Sequence, residues 1–211
     1  MDISKNLTNA NYIKALLIDY LIKDNDGKAI LGTEISFGSK HRIADLVLLT
    51  DFLSVFEIKA MNDDLRNIRS QLNNYKKVFD YLYLVVTEKH FNKAKKIVTP
   101  NEGLILISPS GEVNIYKNAM LIKKHSKEEI LDSITAEFLK KTLELPNEFS
   151  AYEVKNKLQK EKLITLKQFF KDFLIQKLAN KNELLIKERG EITHYEDVAI
   201  LSYNSDPHLT L

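Results

Sequence analysis

Glu57 and Lys59 stand two residues apart inside the apolar run "FLSVFEIKAM", and Asp45 stands inside the preceding run "IADLVLL". A charge embedded in an apolar strand must be paired or must coordinate a metal, because removing it from water alone is costly. Side chains alternate across a strand, so Val55, Glu57 and Lys59 share one face, as do Ile43, Asp45 and Val47 on the strand before it. Only Thr50 and Asp51 separate the two runs, a spacing that predicts a hairpin. The hairpin turns Asp45 and Glu57 to one side, near the same end. Two carboxylates so placed repel, which raises the pKa of one of them. A hard divalent cation, bound through oxygen ligands, removes that repulsion. It also acidifies a bound water and stabilises charge on a phosphate oxygen. A lysine on the same face orients the attacking water or offsets the developing charge. These three side chains fit metal-assisted hydrolysis at phosphorus.

The elements that must position them follow from periodicity. Residues 9–23 carry Ile13, Leu16, Leu17, Tyr20 and Leu21 at helical spacing. "DNDG" is turn chemistry. Residues 29–37 predict a strand, "GSKHR" a tight connection, and 43–49 and 52–60 the hairpin. "NDDL" opens a helical pattern expected to run from Asp63 to Asp80, with Asn62 or Asp63 as its cap. "YLYLVVT" (81–87) is apolar on both faces, as in the middle of a sheet. A helix over 88–98 and strands at "LILIS" and "EVNIY" complete an α/β unit expected to span residues 1–118. From Lys127 onward the patterns are helical, so 119–211 is expected to be a helical appendage. Its stripe of Leu166, Phe169, Phe170, Phe173 and Leu174 either packs on the core or joins two copies of the chain.

Composition narrows the class. The chain has 211 residues, 44% hydrophobic and 28% charged, with no cysteine. Disulfides and thiolate metal sites are thereby excluded, and a reducing compartment is compatible. The N-terminal residues lack a basic segment followed by an apolar one, and no apolar run reaches membrane-spanning length, so a cytoplasmic protein without a membrane partner is expected. A net charge of +2 does not argue for a nucleic-acid partner, so any such argument rests on local clustering.

At "IADLVLLTDFLSVFEIKA" the sequence resembles the core motif of the PD-(D/E)XK, restriction-endonuclease-like nucleases. Asp45 matches the motif's aspartate, Glu57 its second acid and Lys59 its lysine, with Ala44 where the superfamily often has proline. "QLNNY" adds Gln71 and Tyr75, four apart on one helix face, which resembles the Q-x-x-x-Y motif of RecB-like members, including small bacterial ones. The resemblance implies an αβββαβ core with a mixed central sheet flanked by helices. It also implies Mg²⁺ or Mn²⁺ held by Asp45, Glu57, the Ile58 carbonyl and an upstream acid, for which Glu34 is the candidate. Lys59 would orient the water, and Gln71 and Tyr75 would support the lysine or touch substrate. The implied substrate is nucleic acid, DNA more than RNA. The acid-x-Lys pattern also occurs at 26–28 and 153–155, but in a turn and a predicted helix, so only "EIK" sits in an apolar strand.

Residues 66–96 hold eight basic and two acidic side chains. Among them Arg66, Arg69, Lys76 and Lys77, joined by Lys40 and Arg42 of the "GSKHR" turn, form the candidate phosphate-contacting surface. A solvated helix face is the plainer alternative. His90, His125, His194 and His208 have no metal-ligand spacing. The rival to a nuclease is a module on the same fold that binds nucleic acid or protein without cutting. An ion pair from Lys59 to Glu57 that leaves no room for a metal would favour it, and a divalent ion between Asp45 and Glu57 would favour the nuclease.

Overall fold

The computed structural model describes residues 6–203; Met1–Lys5 at the N-terminus and His208 near the other end lie outside the described residues. Helix α1 (Ala10–Asp24) starts where the Asn9 side chain accepts the Asn11 amide at 2.9 Å, a cap that satisfies one of the free first-turn N–H groups. Strands β1 (Ile30–Phe37), β2 (Arg42–Leu49) and β3 (Leu53–Lys59) follow. Next come α2 (Ile68–Tyr75), β4 (Tyr81–Thr87), α3 (Glu88–Ile97), β5 (Gly103–Ile107) and β6 (Val113–Lys117). Beyond the sheet lie α4 (Lys127–Asp132), α5 (Ala136–Thr142), α6 (Ala151–Leu158), the long α7 (Leu163–Glu188) and a 3₁₀ turn, Asp197–Leu201.

The six strands form one mixed sheet in chain order. β1, β2 and β3 are antiparallel neighbours; β3, β4 and β5 run parallel; β6 returns antiparallel. Each parallel step needs a crossover, and α2 and α3 supply the two. β4 sits between two parallel neighbours, which explains its two apolar faces: Leu82, Leu84 and Val86 enter one hydrophobic cluster and Val85 the other.

The predicted strands and the first helix match within a residue or two. The helix expected over 63–80 does not: only Ile68–Tyr75 is helical. The Asp63 carboxylate accepts the Ala60 amide at 2.8 Å and the Asp64 carboxylate accepts the Arg66 amide at 2.8 Å. These local bonds hold the backbone in turns where the helix would begin, the usual competition between aspartate side chains and helical pairing.

The helices after β6 share a hydrophobic cluster with the sheet. Leu166, Phe170, Phe173 and Leu174 are fully buried in the same hydrophobic cluster as residues of β2, β3 and β4, so the apolar stripe of α7 packs within its own chain. Gly32 lets α7 approach: a Cβ there would lie 2.6 Å from a Leu178 methyl. Asn182 then closes the open edge of β1. Its amide oxygen accepts the Leu31 N–H at 2.8 Å and its amide nitrogen donates to the Leu31 carbonyl at 2.7 Å. Tyr203 N–H donates to the Thr33 carbonyl at 2.9 Å farther along. An edge strand so covered has few free groups to offer another chain. Among the described residues no helix is long and apolar enough to cross a membrane.

Candidate active site

The site forms where the ladders of three strands loosen. β2 pairs with β3 from Leu49↔Leu53 to Leu46↔Phe56, and one further step sets Asp45 against Glu57. There the Ile58 N–H donates to Asp45 Oδ2 at 2.8 Å instead of continuing the ladder. On the other side, Thr33 pairs with Leu46 and Ile35 with Ala44, which leaves Glu34 opposite Asp45. Glu34 adopts a φ of 54°, in the left-handed region that side chains seldom occupy. Leu31, Leu46 and Leu48 lie in one hydrophobic cluster while Ile35, Phe37 and Ala44 lie in the other. β1 and β2 thus exchange faces at Glu34 and Asp45, and the crease sets the Asp45 carboxylate close enough to Glu57 for the two charges to repel. A strained residue at such a point is common at functional sites.

Glu57 is 1% exposed. Its Oε1 lies 2.7 Å from Lys59 Nζ, and its Oε2 accepts the Tyr75 hydroxyl. That hydroxyl also lies 3.1 Å from the Ile43 carbonyl oxygen. Tyr75 belongs to α2 and stacks on Phe37, with ring centroids 5.1 Å apart, so the core fixes the ring that holds Glu57. Burial, and then the negative charges of Glu57 and Asp45, push the Tyr75 phenol well above its usual pKa, keeping it a donor. Burial and then the facing Glu57 charge push the Asp45 carboxyl up to about 7; the Ile58 amide, Lys14 and Lys59 only partly oppose this. Among the described residues Asp45 has no ion-pair partner, whereas Glu57 has Lys59 and Glu34 has Lys14.

Lys14 is the member that the sequence reading missed. It is 4% exposed on α1 and reaches Glu34. The signal was present: Lys14, Leu17, Ile18 and Leu21 follow the spacing of one helix face, so a lysine stood on the stripe that the helix buries.

The other predicted residues divide clearly. Gln71 is half-buried one turn before Tyr75, and its side chain bonds to no described residue. Lys40 is exposed. Arg42 and Lys77 approach Glu129 at 3.7 and 3.1 Å. Arg69 and Lys76 both clasp the buried Glu102, at 2.7 and 2.6 Å. Arg66 pairs with Asp64 on the surface. His90 and His125 lie 3.1 Å from the carbonyl oxygens of Ala60 and Phe79. A groove of about 450 Å³ opens beside the hairpin, lined in part by Ser36, His41, Ile43, Lys155 and Tyr203.

Asp45 and Glu57 offer the oxygen donors that Mg²⁺ and Mn²⁺ take. The Ile58 carbonyl lies on the same edge of β3 as the amide that meets Asp45. Each carboxylate oxygen already in a hydrogen bond keeps a second lone pair, and Asp45 is in direct ion pair with no lysine among the described residues. The donor set fits a hard cation on those grounds. Among the described residues no three His, Cys, Asp or Glu side chains converge as a metal-holding group, so main-chain or water oxygens would have to complete the shell.

The family described as bacteriophage P4 protein cII matches residues 4–202. A solved structure of a protein of unknown function from Silicibacter pomeroyi is similar over 56% of this chain and 77% of that one, at 13% identity and a TM-score of 0.40, a likeness too slight to assign a fold. No curated protein matches the chain.

Proposed function

The chain belongs to the bacteriophage P4 protein cII family, and from the site it carries we propose that it is a Mg²⁺- or Mn²⁺-dependent nuclease of restriction-endonuclease-like fold, acting on DNA in preference to RNA. One observation carries this reading: Asp45 faces Glu57 where the β2–β3 ladder ends, with Lys59 on the same carboxylate. The order α1, β1, β2, β3, α2, β4 supports the fold. Asp45, Glu57 and the Ile58 carbonyl would hold the cation. When bound, it supplies Lewis-acid chemistry at the attacked phosphate. Lys59 orients the attacking water in line with the leaving oxygen and offsets charge on the phosphate oxygens. Tyr75 keeps the Glu57 carboxylate in one orientation.

A specific observation favours the second reading, a binding module without cleavage. Both Glu57 oxygens are engaged, one by Lys59 and one by Tyr75. On the first reading, that ion pair is the resting arrangement of a lysine awaiting substrate. On the second, it is the finished structure.

The two readings separate on incubation of the purified protein with linear, circular and single-stranded DNA and with RNA, with Mg²⁺ or Mn²⁺, beside Glu57→Ala and Lys59→Ala. The nuclease cuts only with a divalent cation, and both variants lose cleavage. The same product pattern from all three proteins would overturn it.

A further inference from the structure

We propose that Tyr116 and Phe91, with Lys95, form a second contact for nucleic acid: a platform on which an unpaired base of a single strand stacks. The inference builds on the nucleic-acid substrate named above and holds whether or not the chain cuts it. It starts from where the free cations lie. Arg42, Arg66, Arg69, Lys76 and Lys77, expected to contact phosphate, each face a carboxylate. On α3, by contrast, Lys93, Lys95 and Lys96 are exposed and form no ion pair among the described residues. The acids of this surface are Glu88, two turns before Lys95 on α3, and Glu112, just before β6; neither pairs with these lysines.

The aromatic pair beside these lysines has room for one more ring. Tyr116, on the edge strand β6, is 59% exposed and belongs to neither hydrophobic cluster of the described residues. Phe91 is anchored, because it packs from α3 against the larger cluster. The two ring centroids lie 5.0 Å apart at 88°. Lys95 Nζ sits 4.8 Å from the Phe91 centroid and 5.8 Å from that of Tyr116. Both kinds of contact are favourable, so they hold the Tyr116 ring in one orientation while most of its surface stays in water. A base stacks on such a ring whatever its identity, and Lys95 brings a cation for the neighbouring phosphate. A duplex, whose bases already stack on one another, offers the ring nothing comparable. The platform also lies on the appropriate side of the sheet. α3 shares its hydrophobic cluster with Tyr75, the residue that holds Glu57. The first turn of α3 abuts the chain just past Lys59: Lys89 Nζ lies 2.6 Å from the Met61 carbonyl oxygen and His90 Nε2 3.1 Å from that of Ala60. β6 is three strands over from β3, about 14 Å at the usual strand spacing, which about four stacked nucleotides cover. A single strand with one phosphate at Lys59 therefore reaches Tyr116.

The test is binding without turnover: fluorescence anisotropy of labelled oligo(dT), oligo(U) and a DNA duplex with the full chain in EDTA, across a salt series. Wild type binds the single strands more tightly than the duplex. Tyr116→Ala weakens single-strand binding roughly tenfold and leaves duplex binding unchanged, whereas Tyr116→Phe, which keeps the ring, binds as wild type does. Tyr152→Ala, which removes a tyrosine exposed on α6, changes neither. Lys95→Gln lowers the slope of log affinity against log salt by about 0.7, the value of one phosphate contact on a single strand, and carries the test if Tyr116→Ala does not fold. Single-strand binding of wild-type strength in folded Tyr116→Ala, an unchanged salt slope in Lys95→Gln, or an equal loss from Tyr152→Ala would overturn the platform while leaving the cleavage result standing. No binding of any nucleic acid by wild type would overturn the nucleic-acid reading together with it.

Discussion

The two most deeply buried glutamates among the described residues both have basic partners, and they are opposites. Glu102, 0% exposed, receives Arg69, Lys76 and the Thr99 amide. Burial pushes its carboxyl up, but Lys76, the Thr99 amide and Arg69 outweigh burial and hold it below its usual pKa. Glu57, 1% exposed, has one lysine, one phenol and a second carboxylate facing it. The first constellation is balanced and ties the loop before β5 to α2. The second carries surplus negative charge beside a strained backbone. Burial of a glutamate and a neighbouring lysine are common to both, so neither marks a reactive centre. On the proposed reading, what sets Glu57 apart is the second carboxylate, Asp45, facing it without an ion-pair partner among the described residues.

The largest expected effect breaks the comparison at its reactive end. Glu57→Ala lowers cleavage by roughly 10³-fold or more, the scale of losing a preorganised electrostatic group, while far-ultraviolet circular dichroism stays native. At the balanced end, Glu102→Gln leaves Arg69 and Lys76 facing a neutral partner. It lowers unfolding free energy by about 2–3 kcal/mol, short of the full penalty for a broken buried pair because both cations are partly exposed. Urea titration checks this, and cleavage per folded molecule stays unchanged.

The two sites also respond to pH with opposite sign. The Asp45 carboxyl sits at about 7 in the folded protein against 3.8 unfolded. The folded chain therefore binds the extra proton between those values, and stability from this group falls as pH rises from about 4 to about 7. Asp45→Asn removes that loss and retains an acceptor for the Ile58 amide, so it stabilises the metal-free protein at pH 8 by about 2 kcal/mol and by much less at pH 4. Glu102, held below its usual value, contributes stability above its unfolded pKa of 4.5 that is lost as pH falls through its folded one. Thermal melts of Asp45→Asn and Glu102→Gln across pH 4–8 resolve the two slopes. A smaller effect is expected from Tyr75→Phe, which keeps the ring stacked on Phe37 but removes the donor to Glu57; about a tenfold loss of rate with little change in melting temperature is expected.

Much of the sheet was legible because its strands are apolar runs of the right length with turn residues between them. The hairpin rule set Asp45 opposite Glu57, and alternation set Lys59 beside Glu57, but strict alternation does not run through Asp45, where β2 exchanges faces. What was not legible depends on partners distant in sequence. Arg69 and Lys76 read as a phosphate-contacting surface, yet both clasp Glu102, more than two dozen residues away. Lys14 was not singled out, because burying a lysine requires a carboxylate that only the fold supplies, here Glu34. The overlong α2 came from counting apolar spacing without weighing Asp63 and Asp64, whose carboxylates bond locally and hold the chain in turns.

The central claim is that the Asp45–Glu57 pair carries a negative charge that a divalent cation relieves. Carbon-13 NMR titration of the Asp45 carboxyl, with and without Mg²⁺, measures it directly. The account predicts a midpoint near 7 without the cation and a fall of one unit or more when it is present, both absent in Asp45→Asn. A midpoint unmoved by saturating Mg²⁺ and Mn²⁺ would contradict it.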